Sequence, residues 1–238
     1  PEQAAARSRE AMACVQPDGP AYAQAMMLTI ARVTFHAFAR QPEATLRYAE
    51  ELLTLAETYE LTTFRGWAVF CRGWGRMALG QTQTGLRDML TGWEHLQAAD
   101  AQGSQPTLLT LLAEAYLKRG DLKKCAATLH KALTLAQQQD ERSHLAEIYR
   151  VQGKLHLQQQ APEAAEASLL RAIEIAQDQS AKLWELRAVT SLCRLRQSHG
   201  SPAGAAAARE QLAKVYAWFT EGLNTPDLQD AAALLAEA

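Results

Sequence analysis

Apolar positions along this chain recur at helical spacing, and the whole pattern repeats after 40 residues. A column of small residues shows the repeat most directly: Gly73, Ala113, Gly153 and Cys193. The other matched positions are Cys125 with Ala165, Leu129 with Leu169, and Ala132 with Ala172. Copies at a fixed period predict a repeat protein, here built from helical hairpins. No segment alternates between apolar and polar residues for long enough to predict a strand.

Turn-forming residues between the apolar stretches set the predicted helix boundaries. Gly80, Gly120 and Gly200 fall in one turn column, in which Gln160 is the exception. Prolines 42, 162 and 226 are placed at helix starts, where a missing N–H costs nothing, and residues 17–20 form a breaker cluster. The predicted elements are a partial repeat helix (1–15), the hairpins 21–59, 62–98, 107–138, 142–178 and 182–220, and a C-terminal capping helix (226–237).

The last hairpin departs from the common register. Its loop, residues 200–204, is expected to be about three residues longer than its neighbours. The column of small residues in the second helix therefore slips from Ala205 to Ala208.

The best-defined copy resembles the tetratricopeptide repeat (TPR) in the spacing of Leu112-Ala113, Tyr116, Gly120, Leu129 and Ala132. In the other copies Arg76, His156 and Arg196 replace the expected tyrosine, and the 40-residue period implies longer helices than usual. The resemblance implies an all-α, TPR-like α-solenoid of antiparallel helix hairpins that forms a right-handed superhelix. Residues 1–238 are expected to form a single repeat domain.

A narrower resemblance covers most of the chain. It is carried by Phe70-Cys-Arg-Gly-Trp74, Trp184-Glu-Leu-Arg187, Ser191-Leu192, Val215-Tyr216, Trp218-Phe-Thr-Glu-Gly222 and Thr225-Pro-Asp-Leu228. These motifs look like the C-terminal repeats of bacterial multidomain adenylate/guanylate cyclases or ATPase-type transcriptional regulators. The resemblance implies a regulatory segment, because the catalytic or DNA-binding domain of such proteins precedes these repeats. The chain begins at Pro1 inside a helical pattern, so it is expected to be a piece of a longer protein.

Composition narrows the possible partners and the compartment. The net charge of −2 gives no general basic surface, so direct nucleic-acid binding is not expected. No apolar run reaches the roughly 18 residues of a membrane span, and no signal peptide is recognisable. The four cysteines are widely separated, which favours reduced thiols and a cytoplasmic location.

Motifs for catalysis and for cofactors are missing from the sequence. There is no phosphate-binding G-x-x-x-x-G-K-[ST] loop, no H-E-x-x-H pair and no G-x-S-x-G elbow. The acidic residues are dispersed, so no catalytic carboxylate pair can be chosen. We therefore expect a protein that is not an enzyme and needs no cofactor or metal.

Candidate binding residues lie on one face of the first helix of each hairpin. In TPR proteins the corresponding columns line a concave groove, and here they include Glu114, Lys118, Arg150, Lys154, Arg187 and Arg194. The four basic residues from position 150 onward would give an accessible basic end suited to a carboxylate or phosphate. The alternative is a solvated polar face with no ligand.

The same columns are aromatic in an earlier copy, where they hold Trp67, Phe70 and Trp74. Either the groove is apolar there, or the helix is rotated and these side chains belong to the core. Burial is favoured for at least two of them, because leaving all three in water would create a large exposed apolar patch. Arg72 and Arg76 on the opposite face should then reach solvent or pair with carboxylates.

The predicted function is a non-catalytic, protein-interaction or effector-sensing regulatory domain of a larger signalling protein. Its partner would be a protein or peptide segment, possibly from its own upstream domains. The alternative is a homodimerisation module of a cyclase or transcriptional regulator.

Overall fold

A computed structural model describes residues 1–16, 19–101 and 103–237, and in these residues every regular element is helical. The all-α prediction is therefore confirmed. The helices are α1 (Glu2–Ala13), α2 (Ala21–Leu28), a π-helical segment (Thr29–Thr34), α3 (Phe35–Phe38), α4 (Pro42–Thr58), α5 (Thr62–Ala78), α6 (Thr82–Ala98), α7 (Gln105–Lys118), α8 (Leu122–Gln138), α9 (Leu145–Gln158), α10 (Pro162–Asp178), α11 (Lys182–His199), α12 (Pro202–Tyr216) and α13 (Pro226–Ala236).

The chain divides into two compact units, Pro1–Gly103 with α1 to α6 and Ser104–Ala238 with α7 to α13. Consecutive helices pack as antiparallel hairpins within each unit, as predicted for a solenoid. The single domain and the right-handed superhelix concern the chain as a whole and stay predictions. Of the predicted breaker cluster, Pro17 and Asp18 lie outside the described residues. So does Gln102, which falls between the predicted hairpins 62–98 and 107–138.

The turns repeat more regularly than the helices do. From residue 40 to residue 180, every twentieth residue has a positive φ, whether or not it is glycine: Arg40, Glu60, Gly80, Asp100, Gly120, Asp140, Gln160 and Ser180. At all of these turns except Glu60, the helix ends in a pair of backbone bonds. In one of them Gly120 N–H bonds the Leu117 carbonyl and Asp121 N–H bonds the Tyr116 carbonyl, both at 3.0 Å. This Schellman arrangement satisfies carbonyls that the helix end leaves unbonded. The turn column is therefore set by backbone geometry, and glycine fills only part of it.

Gly200 is the exception in the predicted turn column. It has an extended backbone, with φ of −93° and ψ of 176°, so the helix does not end there in a left-handed residue. The prediction of a longer loop is wrong, because α12 begins at Pro202 and the Ser201 hydroxyl caps it by accepting a bond from Gly204 N–H. The predicted slip is confirmed: Ala208 is buried in α12, and Ala205 is not.

In the first unit, α5 and α6 pack through glycines spaced seven residues apart on both helices. A Cβ added at Gly73 would lie 2.5 Å from Met89 N and 2.6 Å from the Gly85 carbonyl oxygen. A Cβ at Gly92 would lie 2.4 Å from Phe70 N. Real side chains never approach backbone atoms this closely, so the two helices touch backbone to backbone.

In the second unit, the small-residue column also faces the second helix of its own hairpin. A Cβ at Gly153 would lie 2.8 Å from Leu169 Cγ, and Ala113 and Cys193 are fully buried. Leu169, Ala172 and their neighbours form one core with the buried residues of α11, α12 and α13. The small residues therefore set the close contact inside each hairpin, and the leucines fill the space between the helices.

Candidate functional site

The first helices of the second unit are joined by charged pairs between positions exactly one repeat apart. Glu114 on α7 accepts from Lys154 on α9 at 3.4 Å, and Glu147 on α9 accepts from Arg187 on α11 at 3.4 Å. Arg187 donates through Nη2 to Asp227 on α13 at 2.7 Å. Each pair is 40 residues apart, so equivalent faces of α7, α9, α11 and α13 lie side by side.

Arg150 is the centre of this arrangement. Its guanidinium bonds both oxygens of Glu147, with Nε to Oε1 at 2.7 Å and Nη2 to Oε2 at 2.8 Å. Nη2 also donates to Glu114 at 2.8 Å. A two-bond fork between a guanidinium and a carboxylate is the strongest form of this contact. We call the set Glu114, Glu147, Arg150, Lys154, Arg187 and Asp227 the charged ladder.

Burial and charge together fix the ionisation of the ladder. Burial alone would raise the pKa of Glu147, but Arg150 and Arg187 outweigh it and lower the pKa to about 2. The same competition, with Arg150 and Lys154 as the cations, holds the pKa of Glu114 below its ordinary value. Glu114 and Glu147 are therefore ionised at neutral pH, and each of them pairs with at least one cation of the ladder.

A histidine and a tryptophan close one end of the ladder. His144 is only 4% exposed and packs edge to face on Trp184, with ring centroids 5.2 Å apart. The Trp184 ring lies 4.9 Å from the Arg187 guanidinium carbon, within range of a cation–π contact. Burial lowers the pKa of His144 to about 4, so the ring is neutral at physiological pH.

The ladder corrects the prediction that Arg150, Lys154, Arg187 and Arg194 all stay accessible. Arg150 is buried and Arg187 is mostly buried, with side chains 7% and 11% exposed, because carboxylates on neighbouring helices pair with both. Lys154 and Arg194 remain accessible, at 44% and 53%. The sequence placed these residues on a common face correctly but did not show which end of that face is closed.

The open end of the face lies toward the C-termini of the first helices. Lys118, Lys154 and Arg194 extend into solvent there, and Glu114 is partly exposed beside them. Gln158 and Ser198 continue the same columns and are also exposed. Arg194 is only loosely held, 4.0 Å from Asp230. We call Lys118, Lys154, Gln158, Arg194 and Ser198 the open row.

The aromatic candidates of the first unit are mostly in the core. Phe70 is fully buried, which confirms the prediction of burial for this residue, and Trp67 and Trp74 are partly buried. On the opposite face, Arg72 Nε and Arg76 Nη1 bond one oxygen of Asp88 at 2.9 and 2.5 Å, as the carboxylate alternative predicted. A role of Trp67 and Trp74 in ligand binding stays a prediction.

Polar residues take the place of the repeat tyrosine without changing the helix phase. Arg76 reaches Asp88 on α6, the second helix of its own hairpin, whereas Arg196 on α11 reaches back to Glu166 on α10 of the preceding hairpin, at 2.6 Å. In the third copy the Ser168 hydroxyl and a ring nitrogen of His156 are 3.2 Å apart. The position therefore faces the second helix of its own hairpin at Arg76 and His156, and that of the preceding hairpin at Arg196.

Over residues 1–16, 19–101 and 103–237 no three His, Cys, Asp or Glu side chains are placed to hold a metal ion. In the same residues no helix has the length and apolar character that crossing a bilayer requires. Cys14 is an exposed free thiol, whereas Cys71, Cys125 and Cys193 are buried and free.

Helical hairpins in series, close-packed through a small-residue column, place this chain among the TPR-like repeat proteins. The chain belongs to the family described as the MalT-like TPR region, whose model matches residues 26–235. The crystal structure of the apo form of RapI is similar in fold, with a TM-score of 0.63 and 15% identity over 98% of this chain and 87% of that one. No curated protein matches the chain. Family membership supports a role in protein interaction or regulation.

Proposed function

We propose that this chain is a non-catalytic, effector-sensing regulatory segment of a larger bacterial signalling protein in the cytoplasm, which binds an acidic or polar peptide segment on the open row. The observation that carries this proposal is the 40-residue spacing of the ladder contacts. It brings equivalent faces of four helices together, and only the C-terminal end of that surface remains uncovered.

The charges of the open row favour an acidic peptide. Lys118, Lys154 and Arg194 come from three successive first helices, and each is exposed. Their partners within the described residues are few, since Lys154 shares Glu114 with the buried Arg150, and Arg194 lies 4.0 Å from Asp230. An extended peptide that crosses the three helices could pair its carboxylates with these cations. The ladder contacts of Arg150 and Arg187 beneath them would hold the three helices in register.

Fluorescence anisotropy with a labelled, glutamate-rich peptide tests the proposal, with a lysine-rich peptide of equal length as the comparison. The double variant Lys154→Glu/Arg194→Glu should abolish binding of the acidic peptide. Arg171→Glu is the matched control, because Arg171 is equally exposed but lies on α10, a second helix. An acidic peptide that binds both variants equally, or that does not bind the unaltered chain, would contradict the proposed face.

One observation favours the alternative of a homodimerisation module. Trp218 and Leu223, in the segment between α12 and α13, are 59% and 50% exposed. Large apolar side chains in one short segment are typical of a contact surface. Light scattering on the chain and on a Trp218→Ser variant separates the two functions: dimerisation predicts a doubled mass that this change lowers, and peptide sensing predicts a monomer in both.

A further inference from the structure

Two arginines and an aromatic ring converge in the first unit, apart from the ladder. The guanidinium carbon of Arg32 lies 5.4 Å from the centre of the Tyr48 ring, and that of Arg47 lies 4.6 Å from the same point. The His36 ring stacks on Tyr48, with centroids 5.1 Å apart and planes inclined by 15°. Three elements meet here, because Arg32 is in the π-helical segment, His36 in α3, and Arg47 and Tyr48 in α4.

No carboxylate neutralises this pair in the part of the chain that the structure describes. Arg32 and Arg47 make no ion pair there, although Glu43, Glu50 and Glu51 lie on α4 within one turn of Arg47. Other arginines of the protein have carboxylate partners: Arg72 and Arg76 share Asp88, and Arg150 pairs with two glutamates. Among the described residues, both guanidinium groups beside Tyr48 are therefore left without a carboxylate partner.

The backbone that carries Arg32 is irregular in a way that is common at functional sites. Residues Thr29–Thr34 form a π-helical segment, which inserts an extra residue into the helical turn and changes the direction of the side chains that follow. The buried Ser8 hydroxyl donates to the Ala31 carbonyl within the segment, so a side chain from α1 supports it. The π-helical segment packs against α4 and thereby brings Arg32 to Tyr48.

His36 adds no third charge to the cluster. Its Nδ1 lies 2.5 Å from Gln41 Oε1, and its Nε2 is buried without a hydrogen-bond partner among the described residues. Burial first, and then the charges of Arg32 and Arg47, lower the pKa of the ring, which is therefore neutral at physiological pH. The cluster thus carries two positive charges, both on planar guanidinium groups.

We propose that Arg32 and Arg47 form a binding site for a phosphomonoester, with Tyr48 and His36 as its aromatic floor. Guanidinium forks match the geometry of phosphate oxygens, and two of them balance the double negative charge of a phosphomonoester. A carboxylate offers a single charge and would leave one arginine unneutralised. The site belongs to the first unit and is independent of the peptide face proposed above.

Isothermal titration of the full chain with inorganic phosphate, at constant ionic strength and pH 7.5, tests the site. Arg32→Gln and Arg47→Gln should each weaken phosphate binding roughly tenfold or more, since each removes charge-assisted bonds. Arg65→Gln is the control, because Arg65 is an exposed arginine of the same unit and should leave the affinity unchanged. Thermal unfolding midpoints of the variants, measured without phosphate, separate loss of binding from loss of folding.

Further titrations define the ligand. Acetate should bind at least tenfold more weakly than phosphate if the double charge decides the affinity. O-phosphoserine and adenosine monophosphate then distinguish a phosphate carried by an amino acid from one carried by a nucleoside. No phosphate binding by the unaltered chain, equal affinity in the folded Arg47→Gln variant, or equal affinity for acetate would each overturn the proposal, and the two arginines would then only pack on Tyr48.

Discussion

Gly73→Ala tests the close contact between α5 and α6 with the smallest possible change. The new Cβ would lie 2.5 Å from Met89 N and 2.6 Å from the Gly85 carbonyl oxygen, both of them backbone atoms that no rotamer change can move. Restoring ordinary contact requires the helices to separate by nearly an ångström along much of their length. Overpacking of this kind costs about 1–3 kcal/mol, with the loss at the upper end because backbone is involved. The higher helix propensity of alanine offsets about 1 kcal/mol of this loss.

We therefore expect Gly73→Ala to lower the free energy of unfolding by about 1–2 kcal/mol, measured by urea denaturation followed by circular dichroism. Gly103→Ala is the control: a Cβ there meets no atom within 4 Å, so the change should be neutral or slightly stabilising. If the Gly73→Ala variant is as stable as the unaltered chain, the backbone-to-backbone contact is refuted.

The remaining predictions concern the turns and the response to acid. Gln160→Gly should stabilise the chain by about 1 kcal/mol, because Gln160 has a φ of 60°, which glycine adopts more easily than glutamine does. Gln152→Gly inside α9 is the control and should destabilise the chain by a similar amount. Urea midpoints of the two variants that shift in the same direction would contradict this. In the folded state the pKa of His144 is lowered from 6.5 to about 4, and that of Glu147 from 4.5 to about 2. Stability that is present at neutral pH is therefore lost as the pH falls. The loss through His144 occurs between pH 6.5 and 4, and the loss through Glu147 occurs below pH 4.5. Thermal midpoints should fall over that range, and His144→Gln should flatten the fall above pH 4.5; an unchanged slope would exclude His144 as its source.

The architecture could be predicted because packing constraints repeat in the sequence. Where two helices must approach closely, only a small residue fits, and this requirement recurs every 40 residues at Gly73, Ala113, Gly153 and Cys193. The turn column was harder to recognise, since a left-handed residue at a helix end tolerates Asp140 or Ser180 as well as glycine. At position 200 the prediction failed for the opposite reason: the residue is glycine, but the left-handed turn that glycine suggests is not formed.

The candidate site was only partly predictable. Periodicity placed Arg150 and Arg187 on the correct face, but their burial depends on Glu114, Glu147 and Asp227, which come from helices up to 40 residues away. The sequence contains the spacing of these charges, and pairing opposite charges at i and i+40 would have found the ladder. The Arg32–Arg47 cluster had no comparable signal, because the π-helical segment that brings it together breaks the regular helical period.

The central claim is that the charged ladder joins successive repeats through positions 40 residues apart. A double-mutant cycle on Arg187 and Asp227 tests it most directly, because this pair is 2.7 Å apart, largely buried, and links α11 to α13. With Arg187→Met and Asp227→Asn, the two single variants and the double variant should give a coupling energy in urea unfolding of about 1–3 kcal/mol. A coupling energy near zero would contradict the ladder and would leave the shared face of these helices without the contact that defines it.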